Sequence, residues 1–337
     1  TADALRLMEN GESFDLVITM YNVGSIDVFD FSARTKAFAP GTPIVLLTSY
    51  SKEVWKKLQE RDRSNIDYAF CWSGSTDLIL AIIKLLEDSM NAEQDILEGG
   101  VQCILLVEDS VRYYSTYLPL LYKLVLQQNI AALHDALNEE QQISRKRARP
   151  KILLATNYDD ALTLFGRYKE QMLGVISDIG FVLHRGDKAS DEKLDAGLDL
   201  CRLIRSEIPK MPVLMQSSQE SMREIAEGMN AGFIMKRSKT LTHELGEYIG
   251  REFGFGDFVV TDSKLHQIAR ASDLQGAEHI IATLSNNHLA ELRSKNYISR
   301  WLLARGIFQV GNTIKNTSYP DTVSLRQDVV RRIHEYR

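Results

Sequence analysis

Short apolar runs alternate with amphipathic helical stretches along most of the chain, and this alternation limits the fold more than any other feature. The run Cys103–Val107, CILLV, is typical of a parallel strand that is buried on both faces. Four further apolar runs lie at 151–155, 173–177, 212–216 and 233–235. Each run is followed by a helical stretch, so the sequence predicts an α/β domain at 101–252 with a doubly wound parallel sheet.

The first 95 residues repeat the second half of this pattern. TADALRLMENGESFDLVIT corresponds to YDDALTLFGRYKEQMLGVIS, a helix followed by the third strand. Further strands are expected at 43–48 and 68–71, with helices at 52–62 and 76–90. Because a sheet without its first strand would expose an apolar edge, we expect the natural polypeptide to begin about 40–50 residues earlier. An unrelated α/β fragment is the alternative.

The remaining segments are predicted to be mostly helical. Residues 111–143 form a long helical stretch that we expect to be broken or bent near Pro119. The polar segment 91–100 ends in Gly-Gly and is interpreted as a linker or a frayed helix end. Residues 253–337 carry apolar residues at helical spacing and predict a small, mostly helical domain.

The charge, the length of the apolar runs and the cysteine spacing exclude several classes of protein. The chain of 337 residues carries 40 basic and 45 acidic residues, a net charge of −5, which argues against a nucleic-acid partner. No apolar run is long enough for a membrane span, and the first residues do not resemble a signal peptide, so we expect a cytoplasmic protein. Cys71, Cys103 and Cys201 are too far apart for a CxxC site. We interpret the basic cluster 145–149 as a solvated loop rather than a phosphate-binding patch.

Polar residues stand at the strand ends of the 101–252 region. Glu108 and Asp109 follow the first strand, Asp178 ends the third, Ser217 follows the fourth and Lys236 the fifth. In a doubly wound sheet of order 2-1-3-4-5, the three carboxylates converge at the carboxyl edge, where ligands bind. Carboxylates this close require a cation, and Mg²⁺ prefers such oxygen ligands. The alternative is that Asp109 and Asp178 only cap loops.

These residues, in this order, resemble the receiver domain of two-component response regulators, which has a flavodoxin-like fold. The resemblance implies that Asp178 accepts a phosphoryl group from a histidine kinase or another phosphodonor. It implies that Mg²⁺ is held by Glu108, Asp109, Asp178 and the carbonyl of Gly180. It further implies three supporting roles: a switch hydroxyl at Ser217, the lysine of the site at Lys236 and a switch aromatic at Phe233.

Two features depart from the receiver pattern. Arg237 follows Lys236 where receivers usually have a cis-proline, and we expect a trans bond here because a cis bond before another residue is costly. Residues 182–196 form an insertion that we expect to be a mobile loop beside the site. Whether it is a partner-specific lid or merely tolerated length is left open.

The first domain lacks the corresponding chemistry. Met20 falls where Asp178 falls in the second, Thr48 corresponds to Ser217, and Cys71 or Trp72 corresponds to Lys236. Methionine cannot accept a phosphoryl group. We therefore interpret residues 1–95 as a degenerate receiver-like domain with a structural or docking role.

The tail resembles a helical segment of bacterial phosphoenolpyruvate synthase and pyruvate phosphate dikinase-type proteins. The matching residues are Asn287-His288, Asn296, Ser299-Arg300-Trp301-Leu302 and Ala304-Arg305. The resemblance implies a regulatory segment that controls a C-terminal catalytic domain of the same polypeptide, so any kinase activity would lie beyond Arg337. A non-phosphorylated scaffold and a Mg²⁺-dependent phosphotransferase or phosphatase are the alternatives. Whether the segment is itself an enzyme, and whether it forms a homodimer, is left open.

Overall fold

The computed structural model describes residues 2–24, 26–49, 61, 64–72, 74–134, 138–262, 264 and 266–337. The chain divides into two compact units. The first comprises Thr1–Leu86 with Ser110–Pro119, and the second comprises Glu87–Asp109 with Leu120–Arg337. Among the described residues, none of the helices combines the length and the apolar character needed to cross a bilayer.

The first unit contains a three-stranded parallel sheet. Its described elements are α1 (Ala2–Glu9), β1 (Val17–Met20), β2 (Asn22–Val23), β3 (Ile26–Asp27), α2 (Val28–Phe38), β4 (Ile44–Thr48) and β5 (Tyr68–Cys71). The sheet order is β1-β4-β5, and strands β2 and β3 form a separate small hairpin. The helix expected at 52–62 lies, apart from Arg61, outside the described residues.

Two long helices differ from their sequence predictions. Helix α3 (Thr76–Ala92) continues directly into a π-helical turn at Glu93–Glu98, so 91–98 is helical and not a linker. Helix α4 (Val111–His134) runs through Pro119 unbroken, so a break at this position is wrong. Proline removes one backbone hydrogen bond, whereas its neighbours Tyr117 and Leu118 are fully buried, so packing holds the helix together.

The second unit contains a five-stranded parallel sheet in the order β10-β9-β8-β6-β7. Its elements are β6 (Cys103–Val107), α5 (Glu139–Arg147), β7 (Lys151–Ala155), α6 (Tyr158–Tyr168), β8 (Met172–Asp178), α7 (Ala196–Glu207), β9 (Val213–Ser217), α8 (Met222–Gly228), β10 (Gly232–Met235) and α9 (Leu241–Phe253). If the five strands are numbered 1 to 5 along the chain, from β6 to β10, the sheet read from β7 has the predicted order 2-1-3-4-5. The α/β class with parallel sheets is therefore confirmed.

The region after α9 packs around its own apolar core. A hairpin precedes five helices: β11 (Phe258–Thr261), β12 (Gln267–Ala271), α10 (Leu274–Thr283), α11 (Asn286–Ser294), α12 (Tyr297–Ala304), α13 (Phe308–Asn316) and α14 (Thr322–Tyr336). The helical character of the C-terminal region is confirmed, whereas the hairpin of β11 and β12 was not expected.

Two glycines allow close packing between the sheet and this C-terminal region. A Cβ at Gly174, in the middle of β8, would collide with the ring of Phe253 at the end of α9. Gly254 adopts a φ of +80°, and a Cβ there would lie 2.8 Å from the backbone of Trp301. Both positions therefore require glycine.

The basic cluster 145–149 is structural, so the solvated-loop interpretation is wrong for two of its arginines. Arg145 lies in α5, is 1 % exposed, and donates a hydrogen bond of 2.6 Å to the carbonyl of Ala132. Arg149 forms an ion pair with the fully buried Asp88, which also accepts hydrogen bonds from Tyr122 Oη and the Ile152 amide, each 2.9 Å long. Arg149 is thus paired with a carboxylate inside the unit, whereas Arg145 is held by a backbone carbonyl.

Candidate functional site

Three carboxylates converge at the carboxyl edge of the five-stranded sheet. Neighbouring strands β6 and β8 pair in parallel with Val107 opposite Ser177, so the residues that follow, Glu108 and Asp178, emerge side by side. One carboxylate oxygen from each of Glu108, Asp109 and Asp178 lies within 4.8 Å of the others. The strand order thus brings together the acidic residues that the sequence singled out.

Lys236 joins two of these carboxylates. Its Nζ lies 2.7 Å from Oε2 of Glu108 and also donates to Oδ2 of Asp178. The Lys236 amide bonds the carbonyl of Ser217 at 2.9 Å, which extends the pairing of β10 with β9 by one residue. Lys236 is 7 % exposed and Glu108 is fully buried, so this ion pair lies inside the protein.

The Asp178 carboxylate is also held by the backbone. Its Oδ1 accepts a hydrogen bond of 2.7 Å from the Ile179 amide. Gly197 packs so closely on the Asp178 carbonyl that a Cβ there would collide with it. Both oxygens of the Asp178 carboxylate are therefore held by hydrogen bonds.

Burial dominates the protonation of the cluster. Burial and the neighbouring Asp178 raise the pKa of Glu108 well above its ordinary value, although Lys236 opposes the shift. Burial, Asp178 and Glu192 raise the pKa of Asp109 to about 7. Burial raises the pKa of Asp178 against the opposing effects of Lys236 and the Ile179 and Gly180 amides. A cation at this position would relieve the cost of ionising all three groups.

Lys236 remains charged. Burial acts to lower its pKa, but the carboxylates of Glu108 and Asp178 outweigh that effect and raise the pKa above its ordinary value. The acidic cluster therefore carries one permanent positive charge on its inner side.

Ser217 and Phe233 lie on the adjacent strands. Ser217 ends β9, and its hydroxyl accepts a hydrogen bond of 3.1 Å from the Gln219 amide. Phe233 lies in β10, is 9 % exposed, and its ring lies 4.8 Å below the guanidinium of Arg223. Ser217 follows Gln216, which pairs with Asp178, whereas Phe233 pairs with Met215 and lies three residues before Lys236. Gly180 lies two residues beyond Asp178.

The insertion at 182–196 has defined local structure. An antiparallel bridge joins Phe181 to Lys193, a 3-10 turn spans Ala189–Asp191, and Lys193 forms an ion pair with Asp199 in α7. This arrangement puts the Glu192 carboxylate against Gly180, where a Cβ would collide with Oε1. Sequence reasoning missed Glu192 because only the fold of the insertion brings it to the site.

The Lys236–Arg237 peptide bond is trans, as predicted for a lysine followed by a residue other than proline. Lys236 reaches both carboxylates with Arg237 after it, so Arg237 does not misdirect the lysine.

The first unit has the same strand register without the polar residues. Met20 pairs with Leu47 as Asp178 pairs with Gln216, and Thr48 stands one position further along β4. The Trp72 amide bonds the Thr48 carbonyl at 2.9 Å, the bond that Lys236 makes to Ser217 in the second unit. Of the two residues considered, Trp72 and not Cys71 therefore occupies the position of Lys236.

Comparisons with known proteins give no family assignment. No protein-family model matches the chain, and no curated protein matches its sequence.

Proposed function

We propose that residues 101–252 form a receiver domain of flavodoxin-like topology that accepts a phosphoryl group on Asp178. The observation that carries this proposal is the convergence of Glu108, Asp109 and Asp178 within 4.8 Å, with Lys236 bonded to two of them. The strand order β10-β9-β8-β6-β7 supports it, because ligands bind at this edge of such sheets.

Magnesium fits the donor set. When all three carboxyl groups are ionised, they and the one ammonium leave two negative charges at the site, which a divalent cation balances. All three side chains offer the oxygen ligands that Mg²⁺ prefers. In this proposal Glu108, Asp109, Asp178 and the Gly180 carbonyl hold the ion, which neutralises charge on the transferred phosphoryl group when bound.

The reaction is a nucleophilic displacement at phosphorus. A carboxylate oxygen of Asp178 forms the new P–O bond while the P–N bond of a phosphohistidine, or the P–O bond of an acyl phosphate, breaks with the leaving group. Lys236 offsets the negative charge of the product as a point charge. Ser217 and Phe233 then report the acyl phosphate to the surrounding loops, as switch hydroxyl and switch aromatic.

The remaining parts have regulatory roles in this proposal. Residues 1–95 are a degenerate receiver-like domain, since Met20 offers no nucleophile at the position of Asp178. Residues 253–337 connect the receiver to a C-terminal enzyme of the phosphoenolpyruvate synthase or pyruvate phosphate dikinase type, which the phosphorylated state would control. The phosphodonor would be a cytoplasmic histidine kinase or a small acyl phosphate.

A non-phosphorylated scaffold is the second candidate. The ion pair between Lys236 and Glu108 is buried and closed, a geometry that also serves to specify a packed structure. In that case Asp178 is a structural partner of Lys236 and is never modified.

Phosphoryl uptake decides between the two. The purified chain, incubated with acetyl phosphate and Mg²⁺, is expected to gain one phosphoryl group by intact-mass measurement, and Asp178→Asn is expected to gain none. Asp195→Asn, an exposed aspartate of the same unit, is the matched control and should behave as wild type. Absence of uptake by a folded wild-type protein would favour the scaffold.

A further inference from the structure

A cavity of about 190 Å³ lies where the amino end of β9 meets the C-terminal helices. Three cationic side chains, Lys210, Arg293 and Lys315, line it, together with the hydroxyl residues Ser299, Thr317, Ser318 and Tyr319. None of the described lining residues is an aspartate or glutamate. This concentration of positive charge is unexpected in a chain with a net charge of −5.

A smaller cavity of about 40 Å³ adjoins the first and shares part of its lining, Lys210, Asn296, Ser299 and Lys315. It adds Arg300. We call the two cavities together the basic cleft, lined by Lys210, Arg293, Asn296, Ser299, Arg300 and Lys315.

Neutral oxygens, rather than carboxylates, hold most of these cations. Lys210 Nζ lies 3.4 Å from Oδ1 of Asn296, and Arg293 donates to the Tyr319 carbonyl. Lys315 Nζ donates to the Glu170 carbonyl at 2.6 Å, with the Glu170 carboxylate at 3.7 Å. Lys210 and Arg293 thus keep charges that no carboxylate within the described chain pairs at ion-pair distance.

Arg300 is a buried cation of the same kind. It is 8 % exposed, and its guanidinium donates to the carbonyls of Glu252, Lys210 and Lys295 at 2.6, 3.1 and 2.6 Å. Burial lowers the pKa of Arg300 to about 10, so the group stays protonated at neutral pH. The Glu252 carboxylate acts against this shift, but the direct partners of the guanidinium are carbonyls, and an anion nearby would offset the remaining cost of burying the charge.

The start of α12 faces the same cleft. Tyr297, Ile298 and Ser299 are at most 6 % exposed, yet no side chain caps this helix start. Asn296, the residue in the capping position, instead accepts a hydrogen bond from Lys210. The first amide groups of a helix have no partner within it, and they favour anions.

We propose that the basic cleft binds a small phosphate-bearing anion. A cavity of about 150 Å³ holds a molecule the size of benzene, so the larger cavity has room for inorganic phosphate or a short organic phosphate. The basic cleft lies at the amino ends of β8 and β9, whereas Asp178 lies at the carboxyl end of β8. The proposal therefore does not depend on phosphorylation of Asp178.

Calorimetric titration with inorganic phosphate tests the proposal. Titrations are made in EDTA at constant ionic strength, so that no metal-dependent binding at the acidic cluster contributes. Wild type is expected to bind saturably, and Lys210→Gln and Arg293→Gln are each expected to weaken binding at least about tenfold, the loss of one charge-assisted contact. Lys146→Gln, at an exposed lysine of α5, and Asp178→Asn are expected to bind as wild type. No saturable heat with wild type, or equal weakening by Lys146→Gln, overturns the proposal.

Two further measurements locate the site and separate the sources of phosphate. Phosphate is expected to slow amide exchange in a peptide covering 296–302, and unchanged exchange there contradicts binding at α12. Because this exchange measurement is made on the wild-type protein, it tests binding at α12 even if a variant loses phosphate binding through misfolding. If glycerol 3-phosphate binds more tightly than inorganic phosphate, the ligand of the basic cleft is an organic phosphate. If inorganic phosphate binds more tightly, the ligand is free phosphate. Acetate binding as tightly as either overturns the assignment to a phosphate group.

Discussion

The ammonium group of Lys236 lies 2.7 Å from Oε2 of Glu108, and both side chains are shielded from solvent. The same ammonium bonds Asp178. Lys236, which follows β10, therefore links Glu108 after β6 to Asp178 at the end of β8. This arrangement makes the acidic cluster part of the core of the second unit as well as a candidate reaction site.

Removal of the shared cation should destabilise the second unit strongly. Lys236→Ala leaves two buried carboxylates without their partner, and breaking a buried ion pair in this way costs about 3–5 kcal/mol. Urea unfolding measures the loss. Glu108→Gln in the Lys236→Ala background should restore part of it, since the double variant buries one charge fewer. A Lys236→Ala protein as stable as wild type would show that the ion pair contributes nothing.

Magnesium should raise the melting temperature of wild type. Binding to the folded state alone stabilises it by about 1.4 kcal/mol at ten times the dissociation constant. Asp109→Asn removes one charged ligand and should abolish most of the shift, whereas Asp195→Asn should keep it. Thermal melts with and without Mg²⁺ measure both, and equal shifts in the two variants would rule out metal binding at the cluster.

Stability without metal should fall as pH rises through the range set by Asp109. The ordinary pKa of an aspartate is 3.8 and that of Asp109 in the folded protein is about 7, so the folded protein binds one more proton than the unfolded chain between these pH values. The stability due to this proton is complete below about pH 4 and lost as pH rises through 7. Denaturant midpoints at several pH values measure it in EDTA, and Asp109→Asn should flatten the dependence. Added Mg²⁺ should stabilise more at pH 8 than at pH 5, because the ion binds the ionised carboxylate.

Asp88 should be far more sensitive to substitution than Asp95, although both pair with Lys151. Asp88 is fully buried, 3.7 Å from Lys151 Nζ and bonded to Arg149, so Asp88→Asn leaves a buried cation unpaired and should cost about 3–5 kcal/mol. Asp95 has an exposed side-chain fraction of 35 %, so Asp95→Asn should cost about 0–1 kcal/mol. Urea unfolding of the pair compares them, and equal losses would mean that burial does not set the strength of these ion pairs.

Phosphoryl label should appear only in the second unit. Met20 and Trp72 stand where Asp178 and Lys236 stand in the second unit, and methionine cannot form an acyl phosphate. Peptide mapping after treatment with acetyl phosphate checks this. Label on a peptide that covers 2–24 would contradict the register assigned to β1.

The apolar runs were sufficient to predict the parallel sheets, because strands such as β6 and β8 are buried along their whole length. Strand β12 was not predicted, since most of its side chains are exposed and QIARA carries no apolar run. The burial of Arg145 could not be predicted, because the sequence around it is mostly basic and typical of an exposed segment. Its hydrogen-bond acceptor, the carbonyl of Ala132, is brought close only by the tertiary fold. Glu192 was missed for the same reason: a long-range bridge, not local sequence, brings the insertion back to Gly180.

The glycine in the middle of β8 has a mechanical consequence. The ring of Phe253 fills the space that a side chain at Gly174 would take, and the next residue, Gly254, lies against the backbone of Trp301. The strand that ends in Asp178 and the helix that leads into the C-terminal region are thus in direct packing contact. A larger side chain at position 174 would have to displace Phe253, and with it the start of the C-terminal region, so this contact ties the position of the helices to the strand that carries Asp178.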